Sequence, residues 1–211
     1  MSLTKEALAS LTGLAAVTLA VVGILIMGDP PNSTEATAAQ VVEHYKDNEG
    51  AVFFGSFLVG LSAVLIVFFG GQLSKALVAA ERERGTLHAV TLAGSALLAV
   101  ALLVGATLNI TLADNADDLS PTALQAINAI AYDFFLPIAA GMAVFTLAAG
   151  IAIVRYESLP SWLGWVAVVI GIACATPAGF FASIIGIVWI AAVSVLLAVR
   201  NRAPAAEPVP A

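Results

Sequence analysis

Charge and cysteine are scarce in this chain. A single cysteine among 211 residues, Cys174, excludes an intrachain disulfide, and with it a quinone-linked disulfide generator, which needs paired cysteines. Set in an apolar run, Cys174 is expected only to pack. Only 10% of residues are Asp, Glu, Lys or Arg. The 8 Lys and Arg are scattered one or two at a time, which excludes a basic, aromatic-bearing face for nucleic acid. Of two histidines, His44 and His88, one falls on each side of the topology derived below. No histidine pair can ligate a haem between helices, and the Cys/His inventory makes no zinc site, so no cofactor is expected. A nucleotide motif is missing, and Ser56 has no histidine at comparable depth for Ser/His hydrolysis.

Long hydrophobic runs fill the space that charge leaves. The chain is 61% hydrophobic with a mean hydropathy of +1.01, far from the composition of soluble domains. Lipid leaves no water for unpaired amides, so spanning structures are helices or closed barrels, and unbroken runs of about 20 apolar residues select helices over alternating barrel strands. The expected fold is therefore all-α, a polytopic transmembrane helix bundle forming one domain over residues 1–200. Charge, Gly and Pro punctuate six spans at 7–27, 51–78, 87–109, 134–154, 161–176 and 178–199, followed by a disordered tail at 201–211. The first run, 21 residues long, exceeds a signal-peptide core and lacks a clear cleavage site, so it is read as a span. The fifth, with 16 residues, reaches only about 24 Å against a hydrocarbon core of about 30 Å and is expected to continue past Pro177.

Basic residues flanking spans are retained in the cytoplasm. With six spans, Lys5, Lys75, Arg82, Arg84, Arg155, Arg200 and Arg202 share one face, and Lys46 alone lies opposite, among Asp29, Glu35, Glu43, Asp47 and Glu49. Both termini are therefore expected in the cytoplasm of a multi-pass protein of the inner (plasma) membrane. Between the first two spans, Ala38, Val41, Val42 and Tyr45 recur at helical spacing against Glu35, Glu43 and Asp47, which predicts an amphipathic outer helix over 35–48. Asn32 or Ser33 is its expected cap, with Glu35 completing a capping box. Ser120-Pro121 starts a second amphipathic stretch over 122–132 ahead of the fourth span, and Pro137 predicts a kink near Asp133.

Asp133 is the most suggestive polar residue, because an acid next to lipid is costly. Counting back 22 residues from Arg155 places it roughly 33 Å away, at the outer interface. Two readings stay open: a solvated interfacial acid, or one wall of an outward recess shared with Asn109, Asn128, Tyr132 and His44, with the 35–48 helix as a lid over a lipid headgroup or small solute. Lys75 is expected to snorkel, not to form a Schiff base, and Asp114, Asp117 and Asp118 match no calcium loop. Gly171, Ala175 and Gly179, and Ala101 with Gly105, are spaced for close helix approach. Trp162 and Trp165 are placed as cytoplasmic interface anchors.

The segments Phe68-Phe69-Gly70-Gly71-Gln72-Leu73-Ser74-Lys75-Ala76-Leu77, Leu159-Pro160-Ser161-Trp162-Leu163-Gly164-Trp165 and Glu43-His44-Tyr45-Lys46-Asp47-Asn48 resemble uncharacterised bacterial six-helix membrane proteins of the domain-of-unknown-function 4386 type. The resemblance implies six spans in a bacterial inner membrane, and it brings no activity or catalytic residue. The expected function is non-enzymatic: binding a lipid-like or small hydrophobic ligand, or serving as an accessory partner of a membrane assembly. The alternative is a small-solute or proton-coupled transporter using Asp133. The expected partners are the lipid bilayer and either another membrane protein or a second copy of the chain, with no nucleic acid.

Overall fold

The computed structural model of the chain describes residues 5–81 and 85–201. Arg82, Arg84 and Arg202, and the expected tail beyond Asn201, lie outside these residues. Among the described residues every regular element is an α-helix: α1 (Lys5–Ser10), α2 (Thr12–Met27), α3 (Ala38–Asp47), α4 (Glu49–Glu81), α5 (Leu87–Asp114), α6 (Pro121–Tyr132), α7 (Phe135–Tyr156), α8 (Ser161–Cys174) and α9 (Gly179–Arg200).

Five helical stretches are long and apolar enough to cross a membrane: Lys5–Met27, Glu49–Ala80, Leu87–Asp114, Pro121–Tyr156 and Gly179–Arg200. The second and third expected spans prove longer than their apolar runs: α4 extends at both ends, to Glu49 and Glu81, and α5 runs on past Asn109 to Asp114. The fifth proves shorter. The helix α8 ends at Cys174 instead of continuing past Pro177, which lies within the turn at 175–178, and its 14 residues cover only about 21 Å.

The first span is broken at Leu11, and the break has an identifiable cause. In a continuous helix the Leu14 amide would donate to the Ser10 carbonyl. Here the Ser194 hydroxyl of α9 stands between them, accepting from the Leu14 amide at 2.9 Å and donating to the Ser10 carbonyl at 2.6 Å. A side chain inserted into the helical ladder in this way bends it while satisfying both backbone groups. Asn201 adds a hydrogen bond to the Ser10 hydroxyl, so the two ends of the described chain meet at one end of the bundle.

Packing follows the inverse rule expected in lipid. Large side chains such as Leu25, Phe57, Phe68, Leu136, Val169 and Phe181 point outward, while much of what is enclosed is small. Along α7 the buried set includes Ala139, Gly141, Ala143, Ala148, Ala149, Gly150 and Ala152. A Cβ built on Gly94 of α5 would lie 2.5 Å from the Phe145 amide nitrogen, and one on Gly141 of α7 would lie 2.6 Å from Leu98 Cα. These reciprocal contacts bring the two backbones together without intervening side chains. Around them Phe69, Phe145 and Trp189 form an edge-to-face series with centroids 6.2 and 6.1 Å apart, linking α4, α7 and α9. The Trp189 indole donates to the Leu163 carbonyl of α8 at 3.0 Å.

One local expectation holds and another is corrected. The kink expected near Asp133 is present as a break at Asp133 and Phe134, and Pro137 stands in the first turn of the following α7, lacking the amide that would have bonded the Asp133 carbonyl in a continuous helix. Gly171, Ala175 and Gly179 do not form one stripe, because α8 ends between them.

The glycine contacts yield a paired prediction. Gly94→Ala should destabilise the protein by about 1–3 kcal/mol, since the new methyl meets backbone that cannot rotate away. Gly71→Ala, where a Cβ meets nothing within 4 Å, should be neutral or stabilising by up to about 1 kcal/mol through helix propensity. Thermal unfolding of both variants in the same detergent compares them, and equal shifts would refute the close-contact argument.

Candidate ligand site

Within the segment 35–48 the structure has the helix α3, shorter than the predicted stretch because its cap lies further along. Thr37, not Asn32 or Ser33, begins it: its hydroxyl accepts from the Gln40 amide at 3.3 Å, and the Gln40 side chain accepts from the Thr37 amide at 2.8 Å. Asn32 instead folds back on Thr34. Val41 and Tyr45 are buried with Val52, Leu112, Ala113, Ala116 and Leu124, a second small core separate from that of the bundle.

Polar ties secure this cap. Tyr45, 1% exposed, donates its hydroxyl to Asn128 Oδ1 of α6 at 2.9 Å, and Asn128 Nδ2 donates to the Pro31 carbonyl at 3.0 Å. Gln125 donates to the Ala36 carbonyl at 2.9 Å, and Lys46 pairs with Asp117. Burial pushes the Tyr45 phenol up to about 12. Burial also lowers the His44 imidazole, against the opposing charge of Asp47.

Beside α3 lies a cleft of about 150 Å³. His44, Asn109 and Tyr132 line it together with Tyr45, Ile24 and Met27, so three of the five predicted recess residues come together. Asn128 is buried behind Tyr45 and serves as a structural tie. Asp133 is exposed as the residue that ends α6, and does not line the cleft. Depth counting could not say which way it faces. Asn109 spends its Nδ2 on the Gly105 carbonyl of its own helix at 3.0 Å. At the opposite end of the bundle, Lys75 pairs with Glu6 at 3.1 Å.

A larger void of about 320 Å³ lies within the bundle, among α2, α4, α5, α7 and α9. Ile24 lines both voids, so they adjoin. The walls of the larger one are Ala, Val, Ile, Leu, Phe and Met, with two exceptions, Ser62 and Ser183. Ser183 donates to the Gly179 carbonyl at 2.7 Å and touches the Cys174 thiol at 3.8 Å. Ser62 is 1% exposed and its hydroxyl finds no partner. Sequence reasoning passed over Ser62; its signal was a lone hydroxyl inside the apolar stretch 57–69.

Compared with protein families, curated proteins and solved structures, the chain matches none.

The Tyr45 tie can be tested by Tyr45→Phe, which leaves Asn128 Oδ1 buried without its donor and should loosen the α3 cap by about 1–3 kcal/mol. Amide hydrogen exchange within α3 reads this, and unchanged protection would show that the bond contributes nothing. Because folding raises the phenol's pKa, its stabilisation is complete below the ordinary value of 10.0 and is lost as pH rises through about 12. Phenolate absorbance in the wild type should therefore show a late component near that pH that is missing from Tyr45→Phe.

Proposed function

We propose that this chain is a six-pass, non-enzymatic protein of a bacterial inner membrane that holds a lipid-like molecule between its helices. The observation that carries this reading is the apolar void of about 320 Å³, roughly twice the ~150 Å³ cavity that admits a benzene ring. Such a volume suits one hydrocarbon chain. Ile24, Phe180 and Ile184 line it and are each about half exposed, so its mouth lies between α2 and α9 on the side where the protein meets lipid. The ligand would arrive from the bilayer, not from water.

The adjoining cleft would take a small polar part of a ligand against His44, Asn109 and Tyr132, with α3 above it and Asn128 holding α3 in place. A transporter working through Asp133 has no comparable support, because that carboxylate stands outside both voids. An accessory role beside another membrane protein or a second copy is compatible with the same site, whose lipid would then bridge the two.

The charge distribution supports cytoplasmic termini. Lys75 meets Glu6, Arg200 donates to the Ser158 carbonyl, and Asn201 meets Ser10, so Lys75 and Arg200 gather at the end where α1 begins and α9 finishes. Two termini on one side require an even number of passes. With five long stretches, α8 would be the sixth, and its short length implies that the turn at 175–178 also sits within the membrane.

Native mass spectrometry of protein extracted gently from its own membrane should reveal a bound lipid-sized mass. In Ala20→Phe, whose ring would fill the cavity that Ala20 lines, that mass should be lost while cooperative unfolding persists. Equal retention in both proteins would remove the case for this cavity. For topology, cysteines placed at positions 47 and 83 in a Cys174→Ala background should be labelled from outside intact cells at 47 alone. Labelling at 83 would overturn the orientation.

A further inference from the structure

Hydroxyls elsewhere in these helices show what a serine or threonine does when nothing else is offered. Thr18, Thr91, Thr107, Thr111, Thr146 and Ser183 each donate to a carbonyl four residues back. Ser62 does not, although it is 1% exposed in the wall of the apolar cavity. One other buried hydroxyl among the described residues lacks a partner, Ser158, and it lies in the α7–α8 turn at the end of the bundle, not within it. A buried donor left unpaired is costly.

We infer that Ser62 recognises a carbonyl oxygen on the ligand, and that the ligand is a neutral lipid, a long-chain ester, ketone or quinone-like molecule, without a charged headgroup. This rests on the reading of the cavity as a lipid site. Depth narrows the class. Ser62 lies 13 residues into α4, about 20 Å from the start of that helix, which puts it near the middle of a hydrocarbon core of about 30 Å. The ester carbonyls of a resident phospholipid stay at the headgroup boundary, roughly 15 Å from that level. Only a lipid free to sink its oxygen to the midplane brings an acceptor to Ser62. Every other wall residue is apolar except Ser183, whose proton is already given to Gly179. A charged group there would have no counter-ion, and a pure hydrocarbon would leave the Ser62 proton unpaired.

The test uses delipidated full-length protein and two probes, a long-chain ketone and the alkane of equal length, compared by native mass spectrometry. Wild type should prefer the ketone about tenfold, as one hydrogen bond to an otherwise unpaired buried donor implies. In Ser62→Ala the preference should fall to about one with alkane binding unchanged. The infrared carbonyl band of an isotope-labelled ketone should lie at lower frequency in wild type than in the variant. The empty Ser62→Ala protein should melt at the same temperature or higher, having lost an unpaired hydroxyl; a lower melting temperature would mean that the hydroxyl already has a partner and would overturn the inference. Equal preference in wild type and variant, with both probes bound, would overturn carbonyl recognition and leave the lipid cavity standing. Binding of neither probe, in wild type as in Ala20→Phe, would remove the cavity reading itself.

Discussion

Where α5 crosses α7, no side chain separates the two backbones: Gly94 lies against the Phe145 amide and Gly141 against Leu98 Cα. Much of the remaining arrangement follows from that approach. In lipid, helices gain nothing by hiding apolar surface from one another, so association rests on dispersion contacts and geometry, which favour small residues at crossings. The close crossing holds α7 at the centre of the bundle. The aromatic series from Phe69 through Phe145 to Trp189 is then fixed in place, and α4 and α9 are set on either side. α2 and α9, joined through Ser194 at one end, have the cavity between them from about one turn beyond that contact.

A second rule governs the polar atoms. Without water, each buried donor needs a protein partner. Ser194 serves two backbone groups at once, Asn128 bridges Tyr45 and Pro31, and Trp189 reaches Leu163. Against this thorough pairing, the unpaired hydroxyl of Ser62 stands out because it coincides with the apolar void enclosed among five helices.

The helical class and the membrane-length stretches were legible in the sequence because run length and hydropathy act locally. So was α3, through the spacing of Val41 and Tyr45. Its cap was misplaced because Asn32, Ser33 and Thr37 are all competent caps, and only the path of the preceding loop selects among them. The break at Leu11 was invisible, since its cause, Ser194, stands 184 residues from the carbonyl it serves. For the site, depth counting brought His44, Asn109 and Tyr132 to one level and the structure brings them to one cleft. Counting could not distinguish the facing of Asp133 from that of Tyr132, one residue earlier, and it had no means to find a void among five helices.

The bond between Tyr45 and Asn128 spans 83 residues of chain. During synthesis α3 emerges long before α6 exists to receive it, a delay of about 4–17 s at ordinary elongation rates. For most of that interval Val52 is the one buried partner of Val41 and Tyr45 already made, and Leu112, Ala113 and Ala116 follow only towards its end. Synthesis thus gives α3 two settings in turn, incompletely covered first and docked against α6 second. The order of translation, as much as the final contacts, requires its sequence to be tolerable in both.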